Sequence, residues 1–269
     1  MRTKVILIIL ITCVIGYNIN FYFTHLWTSP YRGEILTVQF VERPLVVEDV
    51  PGKEEPVTEV KKPTQPKNPC LVPKKVYDDY TFLDVGQDVP IPDVTYVPSN
   101  LVLLDKTITT SSICLKEEAA VALAIMIEGA KLDGKIIKVS SGFRSYATQK
   151  SILERNIAEG NKNALIAVAK PGYSEHQLGV AVDLTSPSIS NDSAAKRFED
   201  TQEADWLEGH SYTYGFIRSY PKDKQDITGY MFEAWHYRYV GLSYALQIHQ
   251  SGETVNQFLK RIAETPPAQ

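Results

Sequence analysis

Between Val41 and Lys75 the chain carries seven prolines, at positions 44, 51, 56, 63, 66, 69 and 73. Proline fixes φ and lacks an N–H donor, so a stretch this dense sustains neither a helix nor a sheet ladder. It reads as an extended, partly polyproline spacer. The folded domain is expected to begin near Val76, downstream of it. The upstream side is constrained differently. Arg2 and Lys4 precede a run from Val5 to Tyr31 that contains no Asp, Glu, Lys or Arg. A positive start followed by an apolar run is the pattern of an export signal. A hydrocarbon core of ~30 Å needs about 20 mostly apolar residues, and Val5 to Phe23 supplies 19. Tyr17, Tyr22 and Trp27 suit an interfacial aromatic belt, with Lys4 on the inner side.

No small-x-small cleavage site follows the run. The sequence thus predicts a signal-anchor or transmembrane segment over 1–27, a Pro-rich extracytoplasmic linker over 28–75 and a catalytic-size domain over 76–264. The expected location is the cell membrane, single-pass, with the domain outside. A lipoprotein or a secreted form stands as the alternative. Leu10-Ile11-Thr12-Cys13 departs from a lipoprotein box at Thr12. Cys70 and Cys114 would both be exported, where a disulfide can persist; nothing in their spacing says whether they pair, and it matches no zinc knuckle. The net charge of −4 and the lack of a basic stripe argue against a nucleic-acid partner.

Downstream of the spacer, helices cluster early and strands late. Leu101 to Leu104 reads as extended, and Leu115 to Leu132 as a helix with Ser111-Ser112 as its cap. Ile136 to Val139 is a β-branched strand, and Ser145 caps a helix over Ala147 to Ala158. A third helix is expected over Asn161 to Lys170, a strand over Leu178 to Leu184 and a helix over Ala194 to Leu207. Strands at Phe216 to Arg218 and Trp235 to Tyr239 and helices at Leu242 to Gln250 and Thr254 to Ile262 close the domain. Without βαβ regularity this is an α+β fold, a small antiparallel sheet with helices packed on it.

Only five histidines exist: His25, His176, His210, His236 and His249. Two of them lie in chemically dense segments, Tyr173-Ser174-Glu175-His176-Gln177-Leu178-Gly179-Val180-Ala181-Val182-Asp183 and Glu233-Ala234-Trp235-His236-Tyr237-Arg238-Tyr239. Catalytic zinc takes three protein ligands from His and Asp/Glu and leaves a fourth position for water. His176, Asp183 and His236 supply that set. Glu233, three residues before His236, sits at a strand mouth, close to the metal without ligating it. A carboxylate there can move the proton of an activated water as base and then acid. His25, His210 and His249 read as packed or surface residues, and Trp206, Trp235 and Tyr239 as core. Glu175, beside a ligand in sequence, is expected to point away.

These segments resemble the zinc D-alanyl-D-alanine carboxypeptidases of the VanY type, peptidase family M15, in the wider group with the Hedgehog/D,D-peptidase fold. The resemblance covers about Pro98 to Leu259. It also rests on Ser141-Gly142-Phe143-Arg144-Ser145-Tyr146 with Gln149, on Tyr214-Gly215-Phe216 and on Val240-Gly241. Departures are Phe143, where tyrosine is common, and Ala234, where proline is common. The resemblance implies a small α+β fold, one zinc per chain, and peptidoglycan stem peptides ending in D-alanine as substrates. It assigns His176, Asp183 and His236 as ligands and Glu233 as base, in agreement with the chemical reading. Arg144 would bind a terminal carboxylate or an oxyanion through its donor fork, with Ser174 and Gln149 adding hydrogen bonds to substrate. Two alternatives stand beside the D,D-carboxypeptidase: an L,D-carboxypeptidase acting on the tetrapeptide stem, and a non-catalytic wall-binding protein, which would be expected to have lost a ligand or Glu233.

Overall fold

The structure, a computed structural model, describes residues 12–15, 17–20, 70, 79–191 and 197–265. The chain divides into two units, Met1–Lys62 and Pro63–Gln269. In the first, β1 (Thr12–Ile15) and β2 (Tyr17–Asn20) pair antiparallel, with Thr12 opposite Asn20 and Ile15 opposite Tyr17. Both strands fall within the run expected as a signal-anchor or transmembrane segment over 1–27. Thr12, Val14, Ile15 and Ile19 are β-branched and favour extended backbone. The rest of the 1–27 segment, and the 28–75 linker apart from Cys70, lie outside the described residues. No helix among the described residues is long and apolar enough to cross a membrane.

In the second unit β3 (Leu101–Leu103) pairs antiparallel with β4 (Cys114–Lys116), and α1 (Glu117–Leu132) follows directly. The helix starts later than Leu115 because Leu115 and Lys116 are held in that ladder, Leu115 opposite Val102. Along α1, Ala119, Ala120, Leu123, Met126, Ile127 and Ala130 form the buried stripe of an amphipathic helix. Next come β5 (Lys138–Ser141) and α2 (Tyr146–Ala158), where Ser145 Oγ accepts from the Thr148 N–H at 3.2 Å as the expected cap. The helix expected over Asn161 to Lys170 shrinks to one turn, α3 (Ala164–Ala167). Val168 is already extended, and Lys170 precedes Pro171, which disfavours helical backbone. The strand expected from Leu178 begins later, as β6 (Ala181–Thr185), because Glu175–Leu178 form a 3-10 turn.

The helix expected from Ala194 is α4 (Gln202–His210), with Thr201 Oγ1 accepting from the Ala204 N–H at 3.1 Å. A 3-10 turn at Phe198–Asp200 and a cap at Thr201 displace its start. The chain closes through β7 (Phe216–Arg218), α5 (Gln225–Thr228), β8 (His236–Tyr239), α6 (Leu242–Ser251) and α7 (Val255–Glu264).

The central sheet has four strands in the order β5-β6-β8-β7, antiparallel throughout. Together with its helices it gives the α+β architecture read from the sequence. Side chains alternate across a strand. Val182 and Leu184 of β6 join Val139, Phe216 and Tyr237 in the hydrophobic core, so Asp183 between them faces the other way. It lies directly opposite His236 of β8 and opposite Ser141 of β5. Strand register alone therefore brings a carboxylate and an imidazole together.

Two further constraints fix the loop after β5. Cys70 is disulfide-bonded to Cys114, the first residue of β4, with Cα atoms 5.9 Å apart. The Phe143 N–H donates to the Cys114 carbonyl at 2.8 Å. Gly142 allows that approach: a Cβ there would meet the same carbonyl oxygen at 2.7 Å. The peptide carrying the Gly142 carbonyl is thus pressed against β4 and aimed inward.

Candidate metal centre

His176 stands on the 3-10 turn Glu175–Leu178. Ser174 caps the turn, its Oγ accepting from the His176 N–H at 3.3 Å, and Gly179 ends it with φ +73°. That positive φ suits glycine, and a Cβ at Gly179 would meet Pro98 Cγ at 2.9 Å. The turn delivers His176 to the Asp183–His236 strand pair. One ligand atom from each of His176, Asp183 and His236 lies within 4.8 Å of the others, and all three residues are buried.

The atoms that converge can be named. Asp183 Oδ1 lies 3.3 Å from His176 Nε2 and 3.1 Å from His236 Nδ1. Asp183 Oδ2 instead accepts from Arg144 Nη2, so one carboxylate oxygen faces both imidazoles while the other is occupied. Each imidazole also has its remaining nitrogen engaged. His176 Nδ1 contacts the Gly142 carbonyl at 2.7 Å, and His236 Nε2 contacts Glu175 Oε2 at 2.8 Å. Ligating histidines are oriented by such outer hydrogen bonds. Two imidazole nitrogens and one carboxylate oxygen, each pre-aimed, fit a zinc ion.

Electrostatics agree with a cation site. Burial opposes charging of His236, yet its bonds to Asp183 and Glu175 raise it to about 10. The negative field that holds a proton there would attract a divalent ion. Burial and the Arg144 guanidinium hold His176 down to about 4, the neutral form a ligand needs. Burial also works against the Asp183 charge, but His176 and Arg144 outweigh it and keep the carboxyl well below its usual range.

Glu233 Oε2 lies 3.7 Å from His236 Nδ1, the nitrogen that faces the other ligand atoms. The Glu233 N–H donates to the Tyr220 carbonyl at 3.1 Å, which sets the turn entering β8. The Tyr220 ring stacks on His236 with centroids 4.8 Å apart. Burial pushes Glu233 up to about 8; His236 opposes the rise and Asp183 adds to it. A carboxyl so placed exchanges its proton near neutral pH, as general acid–base work requires.

Arg144 follows β5 and is held by Ser141 Oγ, which accepts from its Nε at 2.8 Å, and by Gln149 Oε1 at 3.4 Å from its Nη1. Gln149 is buried, and its Nε2 donates to the Ala169 carbonyl at 2.8 Å. The Gln149 amide is thereby fixed at both ends, and its Oε1 braces Arg144. Ser174 is likewise buried and serves the His176 turn. Of the other histidines, His210 stacks on Trp206 and His249 on Tyr212, outside the ligand set. His25 lies outside the described residues.

One polar residue of the centre escaped the sequence reading. Glu175 does not point away: its side chain is fully buried and touches His236, Ser219 and Arg238. Burial penalises its charge, but Arg238 and the His236 bond hold it down to about 2. A signal was present in β8, where His236 and Arg238 are two apart and share a face. A buried arginine demands a buried acid beside it.

The model of the VanY family, D-alanyl-D-alanine carboxypeptidase, matches residues 112–242. A solved mutant of the vancomycin-resistance D,D-pentapeptidase VanY from a VanB-type cassette, in complex with Zn(II), is 32% identical with a TM-score of 0.56. The match covers 67% of this chain and 99% of that one. The chain belongs to the VanY family. The LdcB LD-carboxypeptidase structure is 36% identical with a TM-score of 0.60, covering 66% of this chain and 85% of that one. Putative carboxypeptidase YodJ of Bacillus subtilis (strain 168) is 38% identical over 172 residues, 62% of this chain. The match spans 63% of YodJ's length, under two thirds of that relative. The VanY match contains every residue of the centre described above, from Ser141 to Arg238.

Proposed function

We propose that the chain is a zinc carboxypeptidase that removes the C-terminal D-alanine from peptidoglycan stem peptides or their precursors. The observation that carries the reading is the convergence of His176 Nε2, Asp183 Oδ1 and His236 Nδ1 with Glu233 at their edge, in a VanY-family chain. Zinc in such a site supplies Lewis-acid activation of water, lowering its pKa toward ~7. Glu233 accepts the proton of the attacking water and returns it to the leaving amine as the C–N bond breaks. Arg144 is part-exposed. It offers donors to the substrate's terminal carboxylate or to the oxyanion, with Ser141 and Gln149 holding its fork in place.

Likeness to the LdcB LD-carboxypeptidase supports a second reading, cleavage of the tetrapeptide stem. The same residues would carry it. A non-catalytic wall-binding role is disfavoured because all three ligands and Glu233 are present. The full zinc-loaded chain should be incubated with pentapeptide and tetrapeptide stems and the products identified by mass. The expected result is loss of one alanine from the pentapeptide, and none from a stem whose terminal carboxylate is amidated. Cleavage confined to the tetrapeptide supports the second reading, and no cleavage of either contradicts both.

The reading extends to location. The domain acts outside the cytoplasm, tethered to the membrane by the N-terminal run and lifted by the proline-rich spacer. Support comes from Arg2 and Lys4 ahead of the uncharged run and from a disulfide of the kind that persists in oxidising compartments. Fractionation should leave the intact chain with membranes, and external protease should release the domain by cutting the spacer. A shortened, freely secreted form alone would contradict the tether.

A further inference from the structure

We infer that Glu175 is a positioning residue of the metal centre, selecting which nitrogen of His236 is free to bind the metal. The inference rests on the reading of His176, Asp183 and His236 as ligands. Glu175 is not one of the three groups whose ligand atoms converge. Its Oε2 accepts from His236 Nε2 at 2.8 Å and from Ser219 Oγ at 2.6 Å. Its Oε1 accepts from Arg238 Nη1 at 2.9 Å. Arg238 is anchored in turn, its Nη2 donating to the carbonyls of Thr81 at 3.0 Å and Leu83 at 2.7 Å. The acid is thereby clamped at both oxygens and cannot follow a rotating imidazole.

The consequence is a choice of tautomer. A neutral imidazole has one N–H and one lone pair. With Glu175 Oε2 as acceptor, the proton belongs on Nε2 of His236, and the lone pair belongs on Nδ1, which faces Asp183 Oδ1. His176 is set the opposite way: the Gly142 carbonyl takes its Nδ1–H and leaves Nε2 toward the same Asp183 oxygen. The two ligands therefore present different nitrogens, each chosen by its outer acceptor. The stacked Tyr220 ring restrains the His236 plane but does not distinguish its nitrogens. Glu175 does.

Outer partners of this kind typically contribute 10–100-fold to metal affinity. The test is zinc competition against a chelator with the full chain, comparing the unmodified protein, Glu175→Gln and Glu175→Ala. Glu175→Ala should bind zinc 10–100-fold more weakly. Glu175→Gln keeps an acceptor oxygen and should fall between. Each variant strands the Arg238 charge, so the pair Glu175→Ala with Arg238→Met serves where a single variant does not fold. A nitrogen-15 spectrum of the unmodified zinc-loaded chain reads the tautomer without any substitution: His236 should carry its proton on Nε2. Folded Glu175→Ala or its double variant with unchanged zinc affinity would overturn the inference, as would metal on Nε2 of His236. If the unmodified chain takes up no zinc, the metal reading itself fails; if it binds zinc and the Glu175 variants bind equally, only this inference does.

Discussion

Glu233→Gln is expected to lower turnover of stem peptides by ~10²–10⁴-fold, the range general acid–base catalysis typically contributes, while leaving zinc bound. The substitution preserves size and removes only the ability to exchange a proton. Glu233 is not one of the three converging ligand groups, and its Oε2 stops 3.7 Å short of His236 Nδ1. Burial pushes its carboxyl up to about 8, so the uncharged amide also replaces a group that already resists charging. Fold and metal content should therefore be retained. Steady-state kinetics alongside elemental analysis of one preparation checks both halves of the expectation. Loss of zinc together with activity would mean that Glu233 is a ligand.

His176→Ala should behave differently, losing metal and activity together. It removes one of the three groups whose ligand atoms converge among the described residues, so its effect on zinc affinity should exceed the 10–100-fold typical of outer partners. The substitution also leaves the Gly142 carbonyl without its imidazole partner and Asp183 Oδ1 without one of its two neighbours. Chelator competition measures the loss. A His176→Ala chain that holds zinc as tightly as the unmodified one would remove His176 from the ligand set.

Much of this centre is legible in the sequence because its residues sit in two short segments whose local structure is simple. Ser145, Gly179 and the β-branched strands announce themselves through capping, a left-handed turn and alternation. Asp183 is readable as strand-borne, and the ladder that pairs it with His236 follows from an antiparallel sheet. Four things were not legible, each for a physical reason. The start of α1 depends on β3, a partner more than ten residues upstream, so Leu115 has a helical pattern and a strand's contacts. The direction of Glu175 depends on a 3-10 turn, whose three residues per turn send neighbours to different sides. The bond from Arg144 to Gln149 depends on how the loop after β5 folds back on α2, which the chain alone does not announce. The disulfide between Cys70 and Cys114 could not be read from spacing, because it closes a loop across the proline-rich boundary.

In the proposed function, a metal held by His176, Asp183 and His236 and a proton carried by Glu233 are separate requirements of one hydrolytic site. Zinc content and turnover, measured on the same preparations of the unmodified, Glu233→Gln and His176→Ala chains, test it most directly. The prediction is about one zinc per chain with activity, about one zinc without activity, and little zinc without activity. Full activity in a chain stripped of all metal, or stem-peptide cleavage by Glu233→Gln at the unmodified rate, would contradict it.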